Sequence, residues 1–270
     1  MRSIQAHARN KYISMFTNYF VAAILAAGYC AFRGAPASWL KPVCMGMMTG
    51  TFYAVVMLLF IRSAGQRGLA VTSAIGSTAA LVPAGIAILL GDRVATTQYV
   101  GIVVAAAAMP MLSLATVTGK AIHQRPNFVL AIALFVCVGG SLSGNFLAFR
   151  FLEDSSIPLY LTALFGWAGV LSLFMYLADR RGGGKADIAR GMAFGFSNIL
   201  GTALLLNALK FVSGVIFFPV AYVSLMAMNL LVAALLWHER IKAWGYVGLA
   251  LAAVATVLLN IKLSGSEVTG

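Results

Sequence analysis

Long apolar runs separated by short polar ones set the pattern of this chain. A helix needs about 20 consecutive apolar residues to cross the hydrocarbon core of a bilayer. Nine stretches meet that length: Tyr12–Ala31, Trp39–Ile61, Leu69–Gly91, Thr97–Thr118, Phe128–Phe149, Pro158–Ala178, Ile188–Leu209, Ser213–Trp237 and Trp244–Leu263. None alternates with period two, which disfavours a β-barrel. In lipid every backbone polar group must then be paired inside its own segment, which leaves helices. The expectation is an all-α, polytopic transmembrane helical bundle of nine spans. The connecting segments are too short to hold a domain of their own. The first run follows Arg2, Arg9 and Lys11, as a signal peptide would. Its apolar core exceeds the usual 7–15 residues, so a start-transfer anchor is the simpler reading.

The chain also repeats itself. Asp92-Arg93-Val94 with Gln98-Tyr99-Val100-Gly101 lies 147 residues before Glu239-Arg240-Ile241 with Gly245-Tyr246-Val247-Gly248. Acid meets acid at that offset, and Arg, Tyr, Val and Gly coincide. Hydrophobicity alone would match the apolar positions but not an acid–Arg pair and a Tyr-Val-Gly at one spacing. The same shift lays spans one to four on spans six to nine and leaves the fifth, Phe128–Phe149, without a partner. The expected halves are residues 1–122 with four spans and 123–270 with five. A unit of five spans is odd, so successive copies enter the membrane from opposite sides. Inverted repeats of this kind build many secondary transporters, with the substrate site near the midplane.

Composition agrees with a membrane protein. Of 270 residues, 61% are apolar or aromatic and 10% are charged, against about 45–50% and about 25% in soluble domains. Mean hydropathy is +0.92. A net charge of +12 would suggest nucleic acid in a soluble protein. Here the basic residues flank apolar runs, as membrane-protein loops do, and no nucleic-acid partner is expected. Cys30, Cys44 and Cys137 have no paired spacing, so neither a disulfide framework nor a metal site is indicated.

Pro83 within an apolar helix, followed by Gly91-Asp92-Arg93, Gln98 and Gly101, resembles the junction of the fourth and fifth helices in the EamA family of the drug/metabolite transporter superfamily. Trp237-His238-Glu239-Arg240 with Gly248 resembles the junction of the ninth and tenth. The resemblance extends over nearly the whole chain. It implies ten helices in two inverted five-helix halves around a central cavity, and movement of small polar or amphipathic solutes, often outward. Two departures stand out. A counterpart of the family's first helix is missing, and His238 and Asp92 occupy places where the family usually has Gly and Glu.

Orientation is read in two ways. Thirteen of the 19 Lys and Arg residues fall on the amino-terminal side of the membrane, including Arg180, Arg181 and Lys185 in a flexible basic loop. The positive-inside rule then puts the amino terminus in the cytosol and, after nine spans, the carboxy terminus outside. The family resemblance implies a cytosolic carboxy terminus.

The chemistry offered to a ligand is neutral. Asp92, Glu153, Asp154, Asp179, Asp187, Glu239 and Glu267 all lie at span ends, in loops or in the tail, and His7, His123 and His238 are peripheral too. Proton-driven carriers commonly use buried carboxylate or His relays; without one, a facilitator or exchanger fits better. Within the spans lie Asn18, Asn145, Asn198, Asn207 and Asn229, with Thr49, Thr51, Ser73, Ser77, Ser141, Ser143, Thr162, Ser197, Thr202 and Ser224. Singly, each reads as a helix–helix hydrogen bond worth about 0.6 kcal/mol. Together they suggest a cavity lined by neutral donors and acceptors. Tyr53, Asn145, Trp167, Asn198 and Tyr222 are the candidate cavity residues. Gly46-x-x-x-Gly50, Gly140-x-x-x-Gly144 and Gly191-x-x-x-Gly195 predict close helix contacts.

The function expected is an integral membrane transporter, an EamA-like permease of the cell membrane. It would move small neutral or zwitterionic metabolites or drugs by alternating access. No cofactor is expected. The partners are a small-molecule substrate and the lipid bilayer, with homodimerisation open. A truncated or accessory protein without transport activity is the alternative. A membrane enzyme would need Asp92 or Glu153-Asp154 as its charged groups, and no phosphate loop, nucleophile elbow or metal cluster supports one.

Overall fold

The computed structural model describes residues 10–34, 36, 38–67, 69–92, 94–114, 128–179, 183–237 and 242–261. Among these residues the fold is all helical. The helices are α1 (Lys11–Arg33), α2 (Leu40–Arg67), α3 (Leu69–Thr78), α4 (Leu81–Leu89), α5 (Thr96–Leu114), α6 (Phe128–Phe151), α7 (Ile157–Asp179), α8 (Lys185–Ala208), α9 (Gly214–Trp237) and α10 (Ala243–Asn260). A single 3-10 turn, Asp154–Ser156, precedes α7. Counting α3 and α4 as one broken span, eight helical segments are long and apolar enough to cross a membrane, and Thr96–Leu112 is a shorter apolar helix. Large apolar side chains such as Phe174, Leu204 and Leu235 are more than half exposed. That outward apolar surface suits hydrocarbon, and the protein is membrane-embedded. Arg93 and Glu239-Arg240-Ile241, part of the repeated motif, lie outside the described residues.

Local chemistry sets where helices begin and end. Asn10 caps α1: its side-chain oxygen accepts the Tyr12 and Ile13 N–H groups at 2.9 and 3.3 Å. α4 ends in a left-handed turn at Gly91, φ +93°, where the Asp92 N–H returns to the Ala87 carbonyl at 3.0 Å. A Cβ there would be strained, so glycine is required. The third apolar run is broken where one helix was expected. Pro83 has no N–H for the Ala79 carbonyl. The Val82 N–H takes that carbonyl at 3.1 Å, and the Ala80 N–H turns to Ser77 at 3.0 Å. The freed groups are thus paired locally, as a bilayer interior demands.

The helices gather into two compact units, and each draws on both sequence halves. The first comprises Met1–Ile61 and Gly140–Phe211; the second comprises Arg62–Gly139 and Val212–Gly270. These contact units therefore divide the chain differently from the 1–122 and 123–270 halves.

In the first unit, glycines let backbones approach. A Cβ on Gly46 would come within 2.7 Å of the Tyr160 carbonyl oxygen, and one on Gly50 would collide with that of Leu164. In the same way a Cβ on Gly191 would meet the Ser14 carbonyl oxygen at 2.7 Å, and one on Gly195 that of Asn18 at 2.5 Å. The two contacts mirror each other: α2 lies on α7 as α8 lies on α1. Residue numbers rise together along both pairs, so each pair is parallel. The α6 contact with α2 runs the other way, Gly140 meeting Phe52 and Gly144 meeting Thr49. Around these contacts pack Ala22, Ala26, Tyr160, Leu164, Phe165 and Ala168.

The second unit carries a mirrored contact of its own. Gly101 of α5 abuts Leu259 of α10, and Gly248 of α10 abuts Leu112 of α5. The two helices run antiparallel. Ala105, Ala108 and Met109 of α5 form one core with Ala252 and Ala255 of α10 and Val223 and Leu230 of α9.

Candidate functional site

A cavity of about 310 Å³ lies inside the first unit. α1 contributes Ser14, Asn18 and Tyr19; α2 contributes Tyr53, Val56, Met57 and Phe60; α6 contributes Ser141; and α8 contributes Phe194, Ser197 and Asn198. Tyr53, Ser141 and Asn198 each sit about halfway along their helices, at mid-span depth. Residues from before 122 form one part of the wall and residues after 123 the other. Val56, Met57, Phe60 and Phe194 are apolar, and every polar lining group is neutral.

A chain of hydrogen bonds fixes the polar wall. Asn145, fully buried, donates Nδ2–H to the Ser141 carbonyl at 3.1 Å and to Tyr53 Oη at 3.0 Å. Its Oδ1 accepts the Tyr160 hydroxyl at 3.0 Å. A carbonyl oxygen can only accept, so the Ser141 contact settles which end of the Asn145 amide is which. Thr202 Oγ1 donates to the Asn198 carbonyl at 2.9 Å. It has one hydrogen, so the 3.4 Å contact with Tyr53 is a Tyr53 donation. The order of protons is therefore Tyr160 to Asn145 to Tyr53 to Thr202 to the α8 backbone, joining α7, α6, α2 and α8. Tyr19 adds a fifth strut, its hydroxyl donating to the Tyr53 carbonyl at 2.9 Å. The Tyr53 ring is held edge-on to Phe165, with ring centroids 5.9 Å apart.

Between α8 and α1, Asn198 Nδ2 donates to Asn18 Oδ1 at 3.5 Å, a long bond. Nearer the start of α8, Ser14 Oγ donates to the Asp187 carbonyl at 3.0 Å. The Asp187 carboxylate is buried but occupied: it accepts the Gly184 N–H and pairs with Arg190, both at 3.2 Å. Its charge is neutralised within the first turn of its own helix.

Of the five residues singled out in the sequence, Tyr53 and Asn198 line the cavity. Asn145 stands one layer behind and positions Tyr53. Trp167 donates its indole N–H to Thr51 at 2.9 Å, an α7-to-α2 tie away from the lining. Tyr222 belongs to the second unit, packed against its α5–α9–α10 core. Ser14, Tyr19 and the four apolar lining residues were not singled out. Ser14 and Asn18 are four apart and share a helix face, which is the one signal that could have linked them. Among the described residues no group of three His, Cys, Asp or Glu side chains could hold a metal ion.

No protein-family model matches the chain, and no curated protein matches it. A protein of known crystal structure is similar over 93% of this chain and 88% of its own, with a TM-score of 0.73 and 12% sequence identity. Likeness at that identity shows the fold alone. The helical arrangement described above is thus one that another protein also adopts.

Proposed function

We propose that this chain is a multi-pass carrier of a cell membrane, not an enzyme, that moves small uncharged or zwitterionic solutes by alternating access between inverted halves. The observation that carries the reading is the mid-span cavity, walled by both sequence halves and lined by neutral donors and acceptors. An internal repeat is supported by the helix positions. Shifted by 147 residues, α1 lands within one residue of α7, and α5 begins where α10 begins. The mirrored glycine contacts support it too, since exchange of contact between related helices is what a local twofold axis produces. Nine crossings would make alternate helices antiparallel. The parallel pairs α1–α8 and α2–α7 and the antiparallel pairs α2–α6 and α5–α10 agree with that count. Such inverted architecture is shared by many secondary transporters, and it agrees with the resemblance to the EamA family.

A buried carboxylate relay is not needed for this mode of action. Asp187 is committed to its own helix end, and Asp154 pairs with Lys210 in a connecting segment. The test is flux. Purified protein in vesicles should give saturable uptake of at least one solute in a panel of neutral amides, sugars and amino acids. Uptake no faster than in protein-free vesicles for every member would overturn the carrier reading.

A further inference from the structure

The two asparagines that meet at the cavity wall narrow the solute. This step rests on the carrier reading and deepens it. When two amides share one hydrogen bond, the donor residue keeps its carbonyl and the acceptor residue keeps its NH2. Here those are Asn198 Oδ1 and Asn18 Nδ2. Flipping both amides exchanges the roles but still leaves one acceptor and one donor, side by side. Both residues line the cavity. Asn18 is nearly buried, so a ligand or water must meet its NH2 where the protein does not.

Tyr53 adds a third group of fixed character. Its hydroxyl accepts from Asn145 and donates to Thr202, so what it still offers is acceptance. Met57, Phe60 and Phe194 supply an apolar wall. Among the lining residues none is charged, and the nearby carboxylate of Asp187 is already paired with Arg190.

We infer that the cavity selects an uncharged amphipathic carboxamide or lactam, whose C=O and N–H engage Asn18 and Asn198 while its apolar body lies against Met57, Phe60 and Phe194. The edge of an amide presents an acceptor beside a donor, the complement of what the asparagine pair leaves open. A zwitterion could reach the same two groups, but its charges would be buried without counter-charges, and that desolvation is not repaid by neutral partners. A cavity of about 310 Å³ is at the small end of those that hold drug-sized ligands, roughly 300–1,000 Å³.

The experiment compares N-acetyl-phenylalanine amide with phenylalanine on the full chain, by thermal-shift binding in detergent and by vesicle uptake. The amide should bind and be carried saturably, with at least tenfold lower half-saturation than the zwitterion. Asn198→Leu and Asn18→Leu should each weaken amide binding by about tenfold, or 1.4 kcal/mol. Asn198→Asp should shift the preference toward a solute bearing an ammonium group. If phenylalanine is carried as well as the amide, the amide assignment is wrong and the carrier reading stands. If the amide binds but nothing is carried, the site assignment stands and the carrier reading falls. Failure of the amide to bind the wild-type chain, or equal binding to the leucine variants, overturns the assignment.

Discussion

At the scale of single residues, Asn145 and Tyr53 explain how a polar wall persists inside an apolar bundle. Each hydrogen bond is modest, about 0.5–1.5 kcal/mol net, but a buried partner left unmade costs more. Tyr53→Phe strands an Asn145 N–H in a dry layer. It should lower the thermal stability of the detergent-solubilised protein by about 1–3 kcal/mol. Thr202→Val removes the long 3.4 Å acceptor of the Tyr53 proton and a donation to the i−4 carbonyl of Asn198, and should cost less than Tyr53→Phe. Equal stability of Tyr53→Phe and wild type would mean that the ordered chain contributes nothing. Asn145 and Tyr53 could be picked out as polar residues within apolar runs. That Asn145 would stand behind Tyr53, and that Trp167 would turn to Thr51 instead, could not. Hydropathy places a residue at a depth, but it does not say which way round the helix the residue points.

At the scale of helices, glycine placement governs which surfaces meet. Gly50 and Gly195 face carbonyl oxygens that belong to backbone and cannot step aside. Gly50→Ala and Gly195→Ala should each destabilise by about 1–3 kcal/mol, as overpacking does. Gly166, in α7, has nothing within 4 Å of a built Cβ. Gly166→Ala should be neutral or stabilising by up to about 1 kcal/mol, because alanine is the better helix former. Thermal unfolding of the three variants side by side checks the contrast, and loss of stability at Gly166 as large as at Gly50 would contradict it. The helices themselves were legible, since a run of about 20 apolar residues has one stable form in lipid. The small-residue spacings were legible as contact sites, though not their partners. The break at Ala79–Ala80 was half visible. Pro83 lies in a run read as one span and cannot continue its backbone bonds, but the repairing bonds from Val82 and Ala80 depend on the local geometry.

At the scale of the whole molecule, the outer surface and the interior are both apolar, so the usual inside–outside contrast of a soluble protein is lost. Phe20 faces outward while the adjacent Tyr19 lines the cavity, and no window average separates them. For that reason the cavity's apolar wall was hidden in the sequence even though its mid-span polar residues were not. The proposed repeat, by contrast, rests on polar punctuation between spans, which a sequence displays directly. The nine crossings proposed above would place the two termini in different compartments. Reporters fused to each end of this chain should therefore report opposite sides, with the amino terminus cytosolic by the charge distribution. Both reporters on one side would remove the odd span count.

The most direct test of the account is sidedness of access to the cavity. Cys30, Cys44 and Cys137 are replaced, Ser197→Cys is introduced at the cavity wall, and a membrane-impermeant thiol reagent is applied to either face of reconstituted vesicles. An alternating-access carrier predicts modification from both faces, slowed by a transported solute. Modification from one face only, unchanged by every solute, would contradict it.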